Sequence, residues 1–127
     1  MTKLKKTIAS LAACALMTSA LTLNASAMIK YWDFGNGVKA YADLSITSTS
    51  ATATTFINAT GGSVSVSIVG HYYAKGTTSG EKVATNGGGG QTSAEATIIN
   101  GGGTWTSVKS THSATDGKTR SPDCYLP

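Results

Sequence analysis

The sequence predicts an all-β fold, a small antiparallel β-sandwich or barrel-like domain behind a cleaved signal peptide. Three observations carry that expectation. Short runs alternate apolar with hydroxyl side chains, glycine clusters separate the runs, and no 3.6-residue apolar stripe follows Ala27. Side chains change face at every residue of a strand, so such alternation writes one greasy face and one wet one.

The first element is not part of that domain. Lys3, Lys5 and Lys6 precede an apolar run from Thr7 to Leu23, and small residues follow at Ala25, Ser26 and Ala27. This is the three-part pattern of a secretory signal peptide cut after Ala27, and it predicts a secreted, extracellular protein. A retained membrane anchor fits less well, because small and hydroxyl residues dilute the run against a span of ~20 apolar residues. "LAAC" (Leu11 to Cys14) also reads as a lipidation box, yet signal-like residues continue beyond Cys14 as far as Ala27. The expected organisation is 1–27 signal peptide, 28–115 β-domain and 116–127 tail.

Within the domain the runs come in order. "KYWDFG" (Lys30 to Gly35) opens it with an aromatic cluster. "VKAYADLSI" puts Val38, Ala40, Ala42, Leu44 and Ile46 opposite Lys39, Tyr41, Asp43 and Ser45. "GSVSVSIVG" sets Val64, Val66 and Ile68 against Ser63, Ser65 and Ser67, and "TSAEATIIN" sets Ala94, Ala96 and Ile98 against Ser93, Glu95 and Thr97. "TWTSVKST" (Thr104 to Thr111) is rich in β-branched and aromatic residues. Gly61–Gly62, Gly87 to Gly90 and Gly101 to Gly103 read as the breaks. An internal echo joins "SATATTFINATGGSVSVS" from Ser50 to "SAEATIINGGGTWTSVKS" from Ser93, which suggests two related hairpins burying one another's apolar sides. With alanine at many inward positions, Trp32, Trp105, Phe56 and Phe34 are the expected packing anchors.

Charge narrows the partners. The full chain carries +4, but removing Lys3, Lys5 and Lys6 leaves seven basic groups against six acidic ones. No basic stripe remains, and nucleic-acid binding is not expected. Cys124 is the one cysteine after Ala27, so residues 28–127 cannot form an internal disulfide framework; Cys124 is expected to be a tail residue, or else to pair two chains.

Chemistry is sparse. His71 and His112 sit beside hydroxyls, yet no G-x-S-x-G elbow accompanies them, and a nucleophilic triad also needs an orienting carboxylate. The six acids form no pair in an apolar setting, and two histidines with one cysteine lack metal-ligand spacing. Neither metal, cofactor nor catalysis is expected. What remains is surface. The aromatics Tyr31, Trp32, Tyr41, Tyr72 and Tyr73 can stack on sugars or settle at a lipid headgroup boundary. Hydroxyl rows and turn amides can hydrogen-bond carbohydrate, peptide or pyrophosphate, so a cell-wall precursor or glycan is the expected partner. Trp32, Tyr41, Tyr72 and Tyr73 are the candidate recognition face.

Trp32, Gly35, Val38 and Tyr41, then Ser50–Ala51–Thr52 and Asn58, follow the signal-like segment in that order. With "GGTWTS" (Gly102 to Ser107) and "HSAT" (His112 to Thr115), two elements that stand in the opposite chain order to the family's, this pattern resembles the Sec-secreted bacteriocin family typified by lactococcin nine-seven-two. Ser45 and Ile46 stand where that family carries histidines, and the chain ends "RSPDCYLP" rather than on aromatic residues. The resemblance implies a cysteine-poor β-sandwich that inhibits related Gram-positive bacteria without forming pores, by binding the cell-wall precursor lipid II. It also implies immunity or transport proteins of the membrane encoded nearby. The competing expectations are a surface-adhesion or matrix module that self-associates and, more remotely, a small secreted hydrolase.

Overall fold

The computed structural model describes residues 26–118 and 124–126, with Ser26 to Met28 in backbone only. The segment 1–25 lies outside the described residues, so the signal-peptide reading is not addressed by the fold. Eight strands form two four-stranded antiparallel sheets packed face to face. They are β1 (Ser26–Gly35), β2 (Val38–Ile46), β3 (Ser50–Ile57), β4 (Ser63–Tyr73), β5 (Lys82–Gly90), β6 (Ser93–Ile99), β7 (Thr104–Thr115) and β8 (Cys124–Leu126). One sheet, here sheet A, runs β1-β2-β3-β6; the other, sheet B, runs β5-β4-β7-β8. The expected all-β sandwich is what the chain forms.

Alternation in the sequence becomes alternation in burial. In β2, Ala40, Ala42, Leu44 and Ile46 are buried while Lys39, Tyr41 and Ser45 are exposed. In β4, Val64, Val66, Ile68 and Gly70 point inward and Ser63, Ser65, Ser67 and Val69 outward. β1 and β2 join through Asn36 and Gly37, whose φ angles of 55° and 80° make the two-residue turn that matches strand twist.

The echo is a structural repeat, but not of hairpins. β3 leaves sheet A for β4 in sheet B, and β6 likewise leaves sheet A for β7 in sheet B. The two arches embrace: β3 pairs with β6, and β4 pairs with β7. Each carries an asparagine that ties it to a neighbouring turn, Asn58 to the β1–β2 turn and Asn100 to the β2–β3 turn. Asn58 Nδ2 donates to Gly37 O and its Oδ1 accepts from Lys39 N; Asn100 Nδ2 donates to Ser48 O and its Oδ1 accepts from Gly102 N.

Three expectations are corrected. Gly87 to Gly90 do not break the chain but finish β5. A Cβ on Gly88 would lie 2.8 Å from Glu95 O, and one on Gly90 would collide with Ser93 O, so only bare backbone can lie this close to β6. Phe56 is no core anchor: it is 39% exposed on the outside of sheet A. Residues 124–126, read as tail, return as β8 beside β7, with Cys124 and Leu126 buried. Cys124 is disulfide-bonded, so its reading as a bland tail residue fails. The chain's other cysteine, Cys14, lies outside the described residues.

Sheet A contributes six alanines to the core, Ala40, Ala42, Ala51, Ala53, Ala94 and Ala96. Larger side chains of both sheets fill the space between them: Trp32, Leu44 and Ile57 from sheet A, Ile68, Trp105 and Val108 from sheet B. Trp105 donates its indole N–H to Thr47 O at 3.1 Å, tying β7 to the β2–β3 turn. Its ring lies over Gly70, where an added Cβ would come within 2.5 Å of both Trp105 Cζ3 and Ile98 Cδ1. Gly70→Ala should therefore overpack the core and cost about 1–3 kcal/mol, with Ser67→Ala on the outer face nearly silent. Denaturant midpoints of the two variants check this, and equal midpoints would contradict the packing described.

Candidate functional site

The most distinctive surface lies on the outside of sheet A. Antiparallel register sets Tyr31 opposite Tyr41, Tyr41 opposite Phe56, and Phe56 opposite Ser93. The rings touch in sequence. Tyr31 and Tyr41 have centroids 6.3 Å apart at 57°, and Tyr41 and Phe56 are 6.0 Å apart at 33°. All three are substantially exposed, at 54%, 42% and 39%. The next cross-strand row is Ile29, Asp43, Thr54 and Glu95. An aromatic ladder thus runs beside a row bearing two carboxylates and a hydroxyl. Partial burial raises the Asp43 carboxyl above its ordinary pKa.

This surface takes one of the four expected recognition residues and refuses the rest. Tyr41 is the middle rung. Trp32 is 1% exposed on the inner face, opposite Ala40, so it cannot belong to an outward recognition face. Its indole N–H is buried without a hydrogen-bond partner among the described residues, a cost of about 1–3 kcal/mol that its packing must offset. Tyr72 belongs to sheet B and packs edge-on against Trp105 at 5.7 Å, and Tyr73 follows it at the end of β4. The four residues do not converge. Ala27, the expected cleavage position, pairs with Ser45 in β1. Tyr31 is among the expected surface aromatics but outside the four-residue recognition face, and Phe56 is expected in the core; strand register shows that the two flank Tyr41.

The second constellation is internal. Thr55 points inward from β3 and donates its hydroxyl to Ser65 O of the opposite sheet at 3.0 Å. The same oxygen lies 2.8 Å from His112 Nδ1, and His112 Nε2 lies 2.7 Å from Ser110 Oγ. The Thr55 proton is committed to Ser65 O, so Thr55 must accept from Nδ1–H. Nε2 then holds the lone pair and accepts from the Ser110 hydroxyl. Thr55, Ser110 and His112 are all buried. The neutral imidazole is therefore fully satisfied, and a proton on Nε2 would turn a good hydrogen bond into donor facing donor. Burial accordingly lowers its pKa from 6.5 to about 4, against a weaker opposing backbone hydrogen bond at Thr54. This histidine is a structural clasp, closed off from any substrate.

His71 lies on the outer side of sheet B. Its Nδ1 is 3.2 Å from Glu81 Oε1, and Glu81 Oε2 accepts from Thr106 Oγ1 at 2.7 Å. β7 bulges here, so that His71 faces Ser107 and Tyr72 faces Trp105. Further along the same face, Ser63, Ser65, Ser113 and Thr115 line a depression of about 170 Å³, smaller than the ~300 Å³ at which small-molecule pockets begin. Among the described residues, no group of three His, Cys, Asp or Glu is placed to hold a metal ion.

Two predictions follow from the clasp. As pH falls from 6.5 to 4 the unfolded chain gains a proton on residue 112 that the folded chain refuses, so stability is lost across that window. The loss is roughly 3 kcal/mol, and His112→Gln should flatten this part of the profile of unfolding free energy against pH. A variant as acid-sensitive as the parent would exclude His112 as the cause. Thr55→Val removes the hydroxyl that links Ser65 O to His112 Nδ1 across the two sheets, and should cost about 1–3 kcal/mol. Serine at position 55, which keeps the hydroxyl, should recover most of that loss in the same denaturation measurement.

Comparison with protein-family models, with curated proteins and with solved structures finds no match to this chain.

Proposed function

We propose that the protein is exported and acts by binding at the bacterial cell surface, as a bacteriocin-like inhibitor that sequesters a lipid II-like cell-wall precursor without catalysis. The observation that carries this reading is the exposed aromatic ladder of Tyr31, Tyr41 and Phe56. Exposed rings in mutual contact hold apolar area ready for a partner, at little cost in side-chain ordering. The signal-like segment 1–27 and the resemblance at Trp32, Gly35, Val38, Tyr41 and Asn58 support the same reading. Residues resembling that family are here mostly fold-forming, so the recognition surface rests on the ladder rather than on Trp32.

Export with cleavage after Ala27 removes two residues of β1 and leaves Met28 to Gly35 to pair with β2. Peptide sequencing of the exported protein should then begin at Met28; a product retaining Cys14 joined to Cys124 would overturn the cleavage. The purified protein should inhibit growth of a related Gram-positive strain at micromolar concentration, and added lipid II should relieve the inhibition. Tyr41→Ala should weaken inhibition about tenfold while leaving circular dichroism unchanged. Full potency in that variant, or no inhibition by the parent, would remove the proposal. An immunity or transport gene for a membrane protein beside the coding sequence would add support.

A surface-adhesion role is the competing reading, and it draws on β1, which among the described residues pairs only with β2. An unpaired edge invites another strand. Light scattering separates the two readings, since adhesion by edge pairing requires growth of particle mass with concentration.

A further inference from the structure

We infer that the aromatic ladder is a subsite for a single soluble glycan chain, engaged through sugar ring faces and hydroxyls and not through phosphate. The inference rests on the binding reading above and names the part of the ligand that the ladder takes. Three observations carry it.

The first is the shape of the apolar strip. Tyr31, Tyr41 and Phe56 follow one another at 6.3 and 6.0 Å, in line across β1, β2 and β3. Pyranose rings present a C–H face that stacks on an aromatic ring, and successive rungs offer successive stacking positions.

The second is the tilt between rungs, 57° and then 33°. Sheet twist turns each strand against its neighbour, so the rings share no plane. A crystalline polysaccharide surface needs coplanar rings and does not fit. A free chain, which turns along its own length, does.

The third is the charge beside the strip. The adjoining row places Asp43, Thr54 and Glu95 within the same face, and Lys39 lies in the row beyond the rings. Carboxylates accept hydrogen bonds from sugar hydroxyls strongly, since the acceptor is ionised. The same carboxylates repel a pyrophosphate held against the rings. With two carboxylates on one side and the single ammonium of Lys39, opposite Asp33 in register, on the other, the strip gathers no positive charge for an anion and suits a neutral polyhydroxylated ligand.

The test uses the full protein, isotope-labelled for NMR and titrated in parallel with a soluble N-acetylglucosamine oligomer, inorganic pyrophosphate and crystalline chitin. The expected result is saturable shifts at Tyr31, Tyr41, Phe56, Thr54 and Glu95 with the oligomer, unchanged at high salt. Tyr41→Ala should raise the dissociation constant about tenfold, and Tyr41→Phe should retain binding, because the ring and not the hydroxyl stacks. Glu95→Gln should weaken the oligomer less than Tyr41→Ala does. Should Tyr41→Ala lose its fold, Tyr31→Ala on the exposed edge rung serves instead.

The proposal is overturned if millimolar oligomer moves no ladder resonance, if pyrophosphate moves them, or if chitin retains the protein and the oligomer does not compete. Its failure is separable from that of the proposed function. Inhibition relieved by lipid II without oligomer binding leaves the inhibitor role and removes the sugar subsite. Oligomer binding at the ladder without growth inhibition does the reverse.

Discussion

One inward-facing hydroxyl sets how the two sheets lie on each other. Thr55 stands in a strand whose other inward residues are Ala51, Ala53 and Ile57, and it reaches across to both Ser65 O and His112 Nδ1. Apolar contact between sheets is forgiving, since alanine faces slide past one another with small loss. A directed hydrogen-bond chain running Ser110, His112, Thr55, Ser65 is not, because each proton has one destination. In a core this thin, the buried polar links fix the alignment that bulky side chains fix elsewhere. Alanine makes that possible, since it lets the sheets approach closely enough for a threonine to bridge them.

Strands with a two-residue rhythm were legible in the sequence because their side chains differ in kind from one face to the other. Val38 to Ile46 is β2 to the residue, and Ser63 to Gly70 lies wholly within β4. β5 was not legible for the converse reason: four glycines carry no face, and only their closeness to Glu95 and Ser93 explains them. β8 is three residues long, and its pairing with Ser110 to His112 depends on a return of the chain that no local pattern announces. The echo was visible, yet its meaning changed. Two similar segments looked like hairpins because hairpins are the usual use of a glycine turn, whereas each of these turns carries the chain from one sheet to the other.

The candidate site was legible only in part, and the limit is cross-strand register. Tyr31, Tyr41 and Phe56 sit on three different strands, and nothing within any one strand says that they meet. Trp32 and Tyr72 drew attention because large aromatics serve cores and binding surfaces alike. Trp32 is buried in the core, and Tyr72 packs against Trp105 there, since the other inward side chains of sheet A are mostly small. The histidine of "HSAT" stands beside hydroxyls in the sequence, which by itself does not say what they do for it. Those hydroxyls are its hydrogen-bond partners in a closed clasp, which is why its charged form is disfavoured.

Core and surface are joined through a single choice of phase along β3. Because a strand alternates, Thr55 can clasp His112 only if Phe56 faces out. Phe56 facing out brings its ring beside Tyr41, and β1 pairing in register brings Tyr31 beside Tyr41 from the other side. Sliding β3 by one residue would bury Phe56 among alanines and expose Thr55, losing the clasp and the ladder together. The exposed rings are thus not leftovers from an incomplete core. They stand where the buried threonine requires an outward residue, and the chain puts an aromatic there when Ser, Thr or Asp fill most other outward positions of β2 and β3. The ring at position 56 packs across the strands on Tyr41 at 6.0 Å, so the phase that buries Thr55 also sets the cross-strand aromatic contact on the outer face.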